Sequence, residues 1–242
     1  MKLKLLLMIV LTAIAVTYAH AQSVTITGKK VTYTRKKLIS EYKKTFTINY
    51  PKVKAATPAL SKKIEAALDY QKVLGLNLKE EMSDFQWLEE ADFEVGYNNK
   101  GILSITLSMD GTAAYPTSTS KTLVIDLKTG KRLMAADVFT NIAGLTAKVK
   151  KAQKKEIADA VAEIKKDPEN EEPNPEELFR DAKFEAKNLE GFAVDDKGVT
   201  FNYDYGFPHV ILALQPDGRF FFSWIQLKPF IRHDGAFARL AR

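Results

Sequence analysis

"FEVGYNNKGILSITLSMDGTAAYPTSTSKTLVIDLKTGK" (residues 93–131) decides the fold, because three strand-like segments follow one another within it. Residues 93–97 and 102–107 carry the aromatic and β-branched side chains that suit strands. The residues between them, Asn98-Asn99-Lys100-Gly101, predict a turn, since Asn and Gly tolerate positive φ. Residues 121–127 supply a third apolar run. The stretch therefore predicts an antiparallel meander.

Helix-like segments interrupt the strand pattern on both sides of this meander. Thr57-Pro58 is typical of a helix start, and the helical pattern from there to residue 89 is broken at Gly75. Residues 145–164 repeat apolar side chains at steps of about three to five, as an amphipathic helix does. Residues 192–227 return to strand-like runs, including Val210 to Leu214. We therefore expect an α+β fold, with antiparallel sheets packed against a few helices.

The first 21 residues have the pattern of a secretory signal peptide. Two lysines precede an apolar run from Leu5 to Val16, and Ala19-His20-Ala21 meets the small-x-small rule for cleavage between Ala21 and Gln22. The apolar run is shorter than the roughly 20 residues that cross a bilayer. We expect a protein released into the periplasm or outside the cell, without a membrane span after cleavage.

The remaining chain is predicted to be a two-part module. Residues 22–132 would form an N-terminal α+β domain and residues 133–231 a C-terminal α+β domain, followed by a basic tail at 232–242. The sequence has no cysteine, which excludes disulfides, thiol catalysis and a lipid anchor on cysteine. The formal charge of +6 is a small excess over 30 acidic residues, so we expect no nucleic-acid partner.

The glycine-containing turn at Thr129-Gly130-Lys131 does not form a phosphate loop. That motif needs a glycine five residues before Gly130 and Ser or Thr after Lys131, where this chain has Ile125 and Arg132. The same residues suit a turn at the end of a strand, because glycine supplies positive φ there.

Histidines are too few to indicate a metal site. The chain beyond the predicted signal peptide has His209 and His233, in unrelated contexts, and no Gly-x-Ser-x-Gly motif. We therefore expect no metal, no cofactor and no catalytic residues. One enzyme class stays open, a hydrolase or deacetylase that uses carboxylates and His209; the acidic residues considered for it are Glu89, Glu90, Asp92, Glu94, Asp195 and Asp196.

Aromatic side chains crowd the last third of the chain, and aromatic stacking often grips sugars and protein partners. The hydroxyl-rich residues 113–120 are predicted to be the loop before the third strand of the meander, and they include one more aromatic, Tyr115. We predict a binding surface that joins this loop to the C-terminal aromatics. Its candidate residues are Tyr115, Tyr203, Tyr205, Phe207 and His209.

The order of several motifs resembles a known pair of domains. The motifs are Phe46-Thr-Ile-Asn-Tyr-Pro51, the strands at 93–107, Val124-Ile-Asp-Leu-Lys-Thr-Gly-Lys131, Asp137-Val-Phe139, and the run from Gly198 to Leu227. Their arrangement, over roughly residues 45–231, resembles the paired domains of unknown function found outside the cell on lysozyme-sensing anti-sigma factors and beside secreted peptidoglycan deacetylase modules. Many relatives carry Gly-Ala-His-Pro where this chain has Ala113-Ala114-Tyr115-Pro116.

The resemblance implies a deacetylase-associated domain at 22–132 and a lysozyme-binding type of domain at 133–231, neither of them catalytic. We therefore expect a binding protein of the cell envelope that recognises a wall glycan or a wall-degrading enzyme such as lysozyme. The alternatives are the glycan hydrolase or deacetylase described above and a structural envelope protein.

Overall fold

The structure is a computed structural model that describes residues 23–166 and 174–240. The predicted signal peptide and its cleavage site between Ala21 and Gln22 lie outside the described residues. Within these two ranges, no helix combines the length and the apolar character that crossing a membrane requires.

A six-stranded sheet with its strands in chain order occupies the first half of the molecule. Neighbouring strands are antiparallel except the second and third, which run parallel at Thr47–Glu90 and Ile48–Ala91. The strands are β1 (Thr25–Thr34), β2 (Thr45–Lys54), β3 (Leu88–Asn99), β4 (Ile102–Thr112), β5 (Pro116–Asp126) and β6 (Lys131–Arg132). The predicted α+β architecture with antiparallel pairing is therefore confirmed, with one parallel pair that the sequence pattern did not indicate.

Three helices connect the parallel strands β2 and β3: α1 (Pro58–Ala67), α2 (Tyr70–Leu74) and α3 (Leu78–Ser83). Parallel neighbours need such a long crossover. As predicted, the Thr57 hydroxyl accepts a hydrogen bond from the backbone N–H of Leu60, and Gly75 ends α2 at φ 74°. The predicted continuation of helix to residue 89 is wrong, because Leu88 already belongs to β3 and is buried in the sheet.

The meander of β3, β4 and β5 is confirmed, but its third strand begins earlier than predicted. Residue pairing between β4 and β5 runs without a break from Thr112–Pro116 to Ile102–Asp126. Only Ala113 to Tyr115 therefore form the turn, and the expected loop at 113–120 is wrong. Its serines and threonines lie exposed on a strand at this end of β5, where a polar strand needs no apolar alternation.

The second half of the molecule packs helices and a three-stranded antiparallel sheet against one face of the larger sheet. The predicted strand at Val210 to Leu214 is wrong: these residues belong to a 3₁₀ helix, His209–Leu214, none of whose side chains is buried as a strand's inner face would be. The other elements are α4 (Ala135–Val138), α5 (Ile142–Ile164), α6 (Pro175–Leu178), β7 (Phe192–Val194), β8 (Gly198–Asn202), β9 (Arg219–Ser223) and α7 (Trp224–Leu227).

Two apolar cores lie on opposite faces of the six-stranded sheet. The first core packs Leu103 and Ile105 of β4 against α1 to α3, while the second packs Ile102 of the same strand with a cluster of phenylalanines. Members of that cluster include Phe139, Phe192, Phe201 and Phe237. Because β4 and β5 contribute side chains to both cores, they lie at the centre of the molecule. The division after residue 132 stays a prediction.

The chain end packs on the second core. Phe237 is fully buried, and the 3₁₀ helix Ala236–Arg239 places a guanidinium against the larger sheet. Arg239 donates to the carboxylate of Asp126 at 2.6 Å and to the carbonyl of Gly101 at 3.1 Å. The last described residues of the predicted tail therefore join β5 to the β3–β4 turn.

Candidate binding cleft

A cleft of about 820 Å³ lies where the six-stranded and three-stranded sheets meet. Its floor is a row of side chains across three strands: Glu94 of β3 lies opposite Thr106 of β4, which lies opposite Thr122 of β5. The two threonine hydroxyls are 2.8 Å apart and hydrogen-bonded to each other. Ser118 and Ser120 extend this hydroxyl lining along β5.

Strand alternation explains why the floor is polar. Leu103, Ile105 and Leu107 point into the first core, so the residues between them point to the other face. On that face β4 begins with Ile102, which the second core covers, and changes to Ser104 and then Thr106. The change from apolar to hydroxyl side chains marks where the second layer stops covering the sheet.

Ser104 fixes the two layers to each other at the inner end of the cleft. Its side chain is buried, and its hydroxyl accepts a hydrogen bond from the backbone N–H of Val194 in β7 at 3.1 Å. This bond pairs the N–H of Val194, which lies on the edge of the smaller sheet. The distance between floor and opposite wall is therefore set by a direct contact.

The opposite wall comes from the outward face of the three-stranded sheet. Phe201 and Phe220 are paired across β8 and β9 and point into the second core. The adjacent pair, Asn202 and Arg219, therefore points to the other face and lines the cleft with Thr200. The wall thus has an amide, a guanidinium and a hydroxyl, which can donate hydrogen bonds to a ligand.

Four charged side chains in the cleft have no partner among the described residues. Glu94, Lys121, Asp217 and Arg219 make neither a side-chain hydrogen bond nor an ion pair with residues 23–166 or 174–240. All four side chains are exposed, so they can exchange water for a polar ligand. Other acidic residues of the lining serve the backbone instead, as Asp195 does by accepting from the N–H of Gly198 at 2.8 Å.

Tyr203 is an aromatic residue of the cleft lining, and its side chain packs against the second core. Its hydroxyl accepts a hydrogen bond from the backbone N–H of Lys183 at 3.0 Å, and its ring packs edge-to-face with Tyr205 at 5.0 Å. These two contacts hold the ring in place.

The segment that follows Tyr203 is shaped by a carboxylate on α5. Glu156 accepts from the hydroxyl of Tyr205 at 2.7 Å and from the backbone N–H of Gly218 at 3.1 Å. Burial, followed by this hydrogen bond, raises the pKa of Tyr205 well above its usual value. The tyrosine therefore stays protonated and continues to donate to Glu156 at neutral pH.

The structure places the predicted binding residues in two groups. Tyr115 and His209 stack on each other, with ring centroids 4.9 Å apart and planes 21° apart, and this pair lies outside the cleft lining. Tyr205 and Phe207 pack against Phe179 with centroids 5.6 and 5.3 Å away. Only Tyr203 among the five candidates lines the cleft.

Sequence reasoning missed most of the cleft. The cleft residues that were not predicted include Thr106, Thr122, Asn202 and Arg219. For the first three, a polar side chain between two core-facing neighbours on a strand was a usable signal. Arg219, at the start of β9, carried no signal of its own. His209 makes no side-chain hydrogen bond within the described part of the chain. In the same part, no group of three or more His, Asp or Glu side chains could hold a metal ion.

Two solved structures share the fold. One is a member of the DUF3298 family from Bacteroides fragilis NCTC 9343, with a TM-score of 0.55 and 15% identity over 91% of this chain and 98% of that chain. The other is a DUF3298 family protein from Pseudomonas aeruginosa PAO1, with a TM-score of 0.54 and 13% identity over 86% and 94% of the two chains. No family model matches the chain, and no curated protein matches it. The likeness supports a domain of unknown function at the level of the fold.

Proposed function

We propose that this protein is a non-catalytic binding protein of the cell envelope and that its cleft holds a segment of wall glycan. The observation that carries the proposal is the cleft lining, which combines hydroxyl, amide and unpaired charged side chains with one aromatic residue. A signal-peptide pattern at residues 1–21 supports placement in the periplasm or outside the cell.

A glycan matches this lining in chemistry. Sugar rings have hydroxyl edges that both donate and accept hydrogen bonds, and apolar faces that stack on aromatic rings. Arg219, Asn202 and Thr200 on one wall and Glu94 on the floor offer donors and acceptors, and Tyr203 is the aromatic residue beside them. N-acetyl and lactyl groups of wall glycans add amide and carboxylate oxygens, which suit the unpaired guanidinium of Arg219.

The shape of the cleft favours a narrow ligand over a folded protein. A volume of about 820 Å³ lies within the range of small-ligand sites, roughly 300–1,000 Å³. A folded partner such as lysozyme usually buries about 800 Å² on each side, so it would also have to contact surface beyond the cleft. A wall-degrading enzyme therefore remains the second possible partner in the test.

A retention assay with purified protein tests the proposal. We expect insoluble peptidoglycan to retain the protein, and Arg219→Met and Asn202→Ala each to reduce retention about tenfold, the effect of about 1.4 kcal/mol of lost contacts. Arg180→Met is the matched control, because Arg180 is exposed, pairs with Glu177 and lies outside the cleft lining. Retention by immobilised lysozyme but not by peptidoglycan would show that the partner is a wall-degrading enzyme. Retention by neither would refute the proposal.

The unpaired carboxylates of Glu94 and Asp217 favour one second candidate, a glycan hydrolase or deacetylase. Hydrolysis of a glycan needs a carboxylic acid and a carboxylate placed on either side of the glycosidic bond. Release of reducing ends or acetate from peptidoglycan, abolished by Glu94→Gln, would establish an enzyme. A His209→Ala variant tests whether His209 acts as the base of such an enzyme. A stable oligomer with no ligand and no turnover would instead favour a structural envelope protein.

A further inference from the structure

Several of the exposed large apolar side chains lie together at one end of the six-stranded sheet. We call this surface the apolar end. Three contacts connect the segments that form it. The side chain of Gln86 accepts from the N–H of Ile39 at 3.1 Å, the carbonyl of Trp87 accepts from the N–H of Thr112 at 2.9 Å, and the Tyr115 ring stacks on His209. Its members are Leu38, Ile39, Phe85, Tyr115, Val210 and Leu212.

The segment that carries Leu38 and Ile39 is anchored from below by Arg35. This guanidinium is buried and donates to the Glu81 carboxylate at 3.0 Å and to the carbonyl of Leu88 at 2.7 Å. Gln86 also donates to the carbonyl of Lys37. The base of the loop is therefore fixed while Ile39 stays 63% exposed. Because this anchored loop holds an apolar side chain in water, the exposure is built into the fold.

Lysines flank two of these apolar side chains, Leu38 and Ile39, along the chain. Lys36, Lys37 and Lys44 are exposed and have no ion pair within residues 23–166 or 174–240. Lys43 donates to the carbonyl of Gln86. Within this segment, residues 36–44, Glu41 is the one acidic residue, so the charge beside Leu38 and Ile39 is positive.

We propose that the apolar end docks on the surface of an anionic lipid bilayer. Protruding apolar side chains flanked by lysines are the combination that binds such surfaces, because the side chains enter the headgroup layer and the lysines meet the lipid phosphates. Single side chains of the apolar end are highly exposed: Phe85 is 63% exposed and Val210 is 86% exposed. Separate tips insert into a soft layer more readily than they fit a flat protein surface.

Docking at this end would place the cleft beside the bilayer. Ser118, which lines the cleft, is three residues along the chain from Tyr115. At about 3.3 Å per residue on an extended strand, the cleft begins about 10 Å from the docked turn.

Vesicle co-sedimentation of the purified protein tests this inference. The probes are vesicles of one part phosphatidylglycerol to three parts phosphatidylcholine and vesicles of phosphatidylcholine alone, at low and high salt. We expect at least tenfold stronger binding to the anionic vesicles, weakened by salt because exposed charges are screened. The double variant Ile39→Ser with Phe85→Ser, and separately Lys36→Glu with Lys37→Glu, should each lower that binding about tenfold.

Ile225→Ser is the matched control, since Ile225 is 86% exposed but lies on α7, outside the apolar end. It should bind as the unaltered protein does, and all variants should keep their melting temperature because the altered side chains are exposed. No binding to anionic vesicles at low salt would overturn the inference. So would equal loss in the Ile225→Ser control, or full binding by the double serine variant.

Discussion

Arg35 and Arg219 show what a charged side chain does in two regions of this protein. Arg35, after β1, is 3% exposed and donates from all three of its nitrogens to the backbone and to Glu81. Arg219, at the start of β9, is exposed in the cleft and has no side-chain partner within residues 23–166 or 174–240. A charge whose hydrogen bonds are all made inside the protein supports the fold. A charge left unpaired in a concave, polar lining is available to a ligand.

The largest expected effect is that of Arg35→Met on stability. Removing the guanidinium leaves the buried Glu81 carboxylate without its charge partner, which typically costs about 3–5 kcal/mol of unfolding free energy. Urea denaturation measures it. The double change Arg35→Met with Glu81→Leu should recover only part of the loss, because it removes the buried charge but leaves the carbonyls of Lys43 and Leu88 without the guanidinium donor. A loss below about 1 kcal/mol for the single variant would show that the pair does not support the fold.

Glu156→Ala should have the next largest effect. It leaves the hydroxyl of Tyr205 and the N–H of Gly218 without their acceptor, which costs about 1–3 kcal/mol. Asp159→Ala, on the exposed face of the same helix, is the control and should change stability by less than about 0.5 kcal/mol. Because Glu156 shapes the wall beyond Tyr203, its loss should also weaken ligand binding. Equal stability of the two variants would contradict the role given to Glu156.

Alkaline pH should weaken the fold through tyrosines with raised pKa. Burial is the first cause of the raised pKa in Tyr50, Tyr70 and Tyr205. Their folded-state pKa exceeds the unfolded value of about 10, so their contribution is complete below pH 10 and is lost as pH rises further, by up to about 1.4 kcal/mol per pH unit and group. Denaturation at stepped pH measures the slope, and Tyr205→Phe should reduce it. If the unfolding free energy of Tyr205→Phe falls with pH as steeply as that of the unaltered protein, the raised pKa of Tyr205 does not contribute to stability.

Arg219→Met should have the smallest effect on stability and a large one on binding. The side chain makes no bond in the described protein, so the unfolding free energy should stay within about 0.5 kcal/mol. Differential scanning calorimetry checks stability, and the peptidoglycan assay checks binding on the same sample. A stability loss as large as that of Arg35→Met would erase the contrast between the two arginines.

Local patterns in the sequence predicted much of the fold. Side-chain type, turn residues and a capping residue, all close together in the chain, predict the meander at 93–131 and the helix that begins after Thr57. The parallel pairing of β2 and β3 was missed because it depends on how a crossover packs. In the sequence, the hydroxyl-rich start of β5 resembles a loop, because an exposed strand lacks the apolar alternation that identifies a buried one.

Most of the cleft could not be predicted from the sequence, because the residues of its walls are far apart in the chain. Ser104 and Val194, whose contact sets the spacing of the layers, are 90 residues apart. The stack of Tyr115 on His209 joins two residues that were each singled out, but nothing in their local sequence indicated that they would meet. Residue type indicated candidate binding residues. Which of these residues lie next to one another depended on tertiary packing.

Hydrogen–deuterium exchange with soluble peptidoglycan fragments tests the central claim most directly. We expect bound fragments to slow exchange of backbone amides at 104–106, 118–122 and 200–204, where the cleft is lined, and to leave exchange around Arg35 unchanged. Arg219→Met should remove this protection. Binding that protects another surface, or fragments that change no amide in the cleft, would contradict the account.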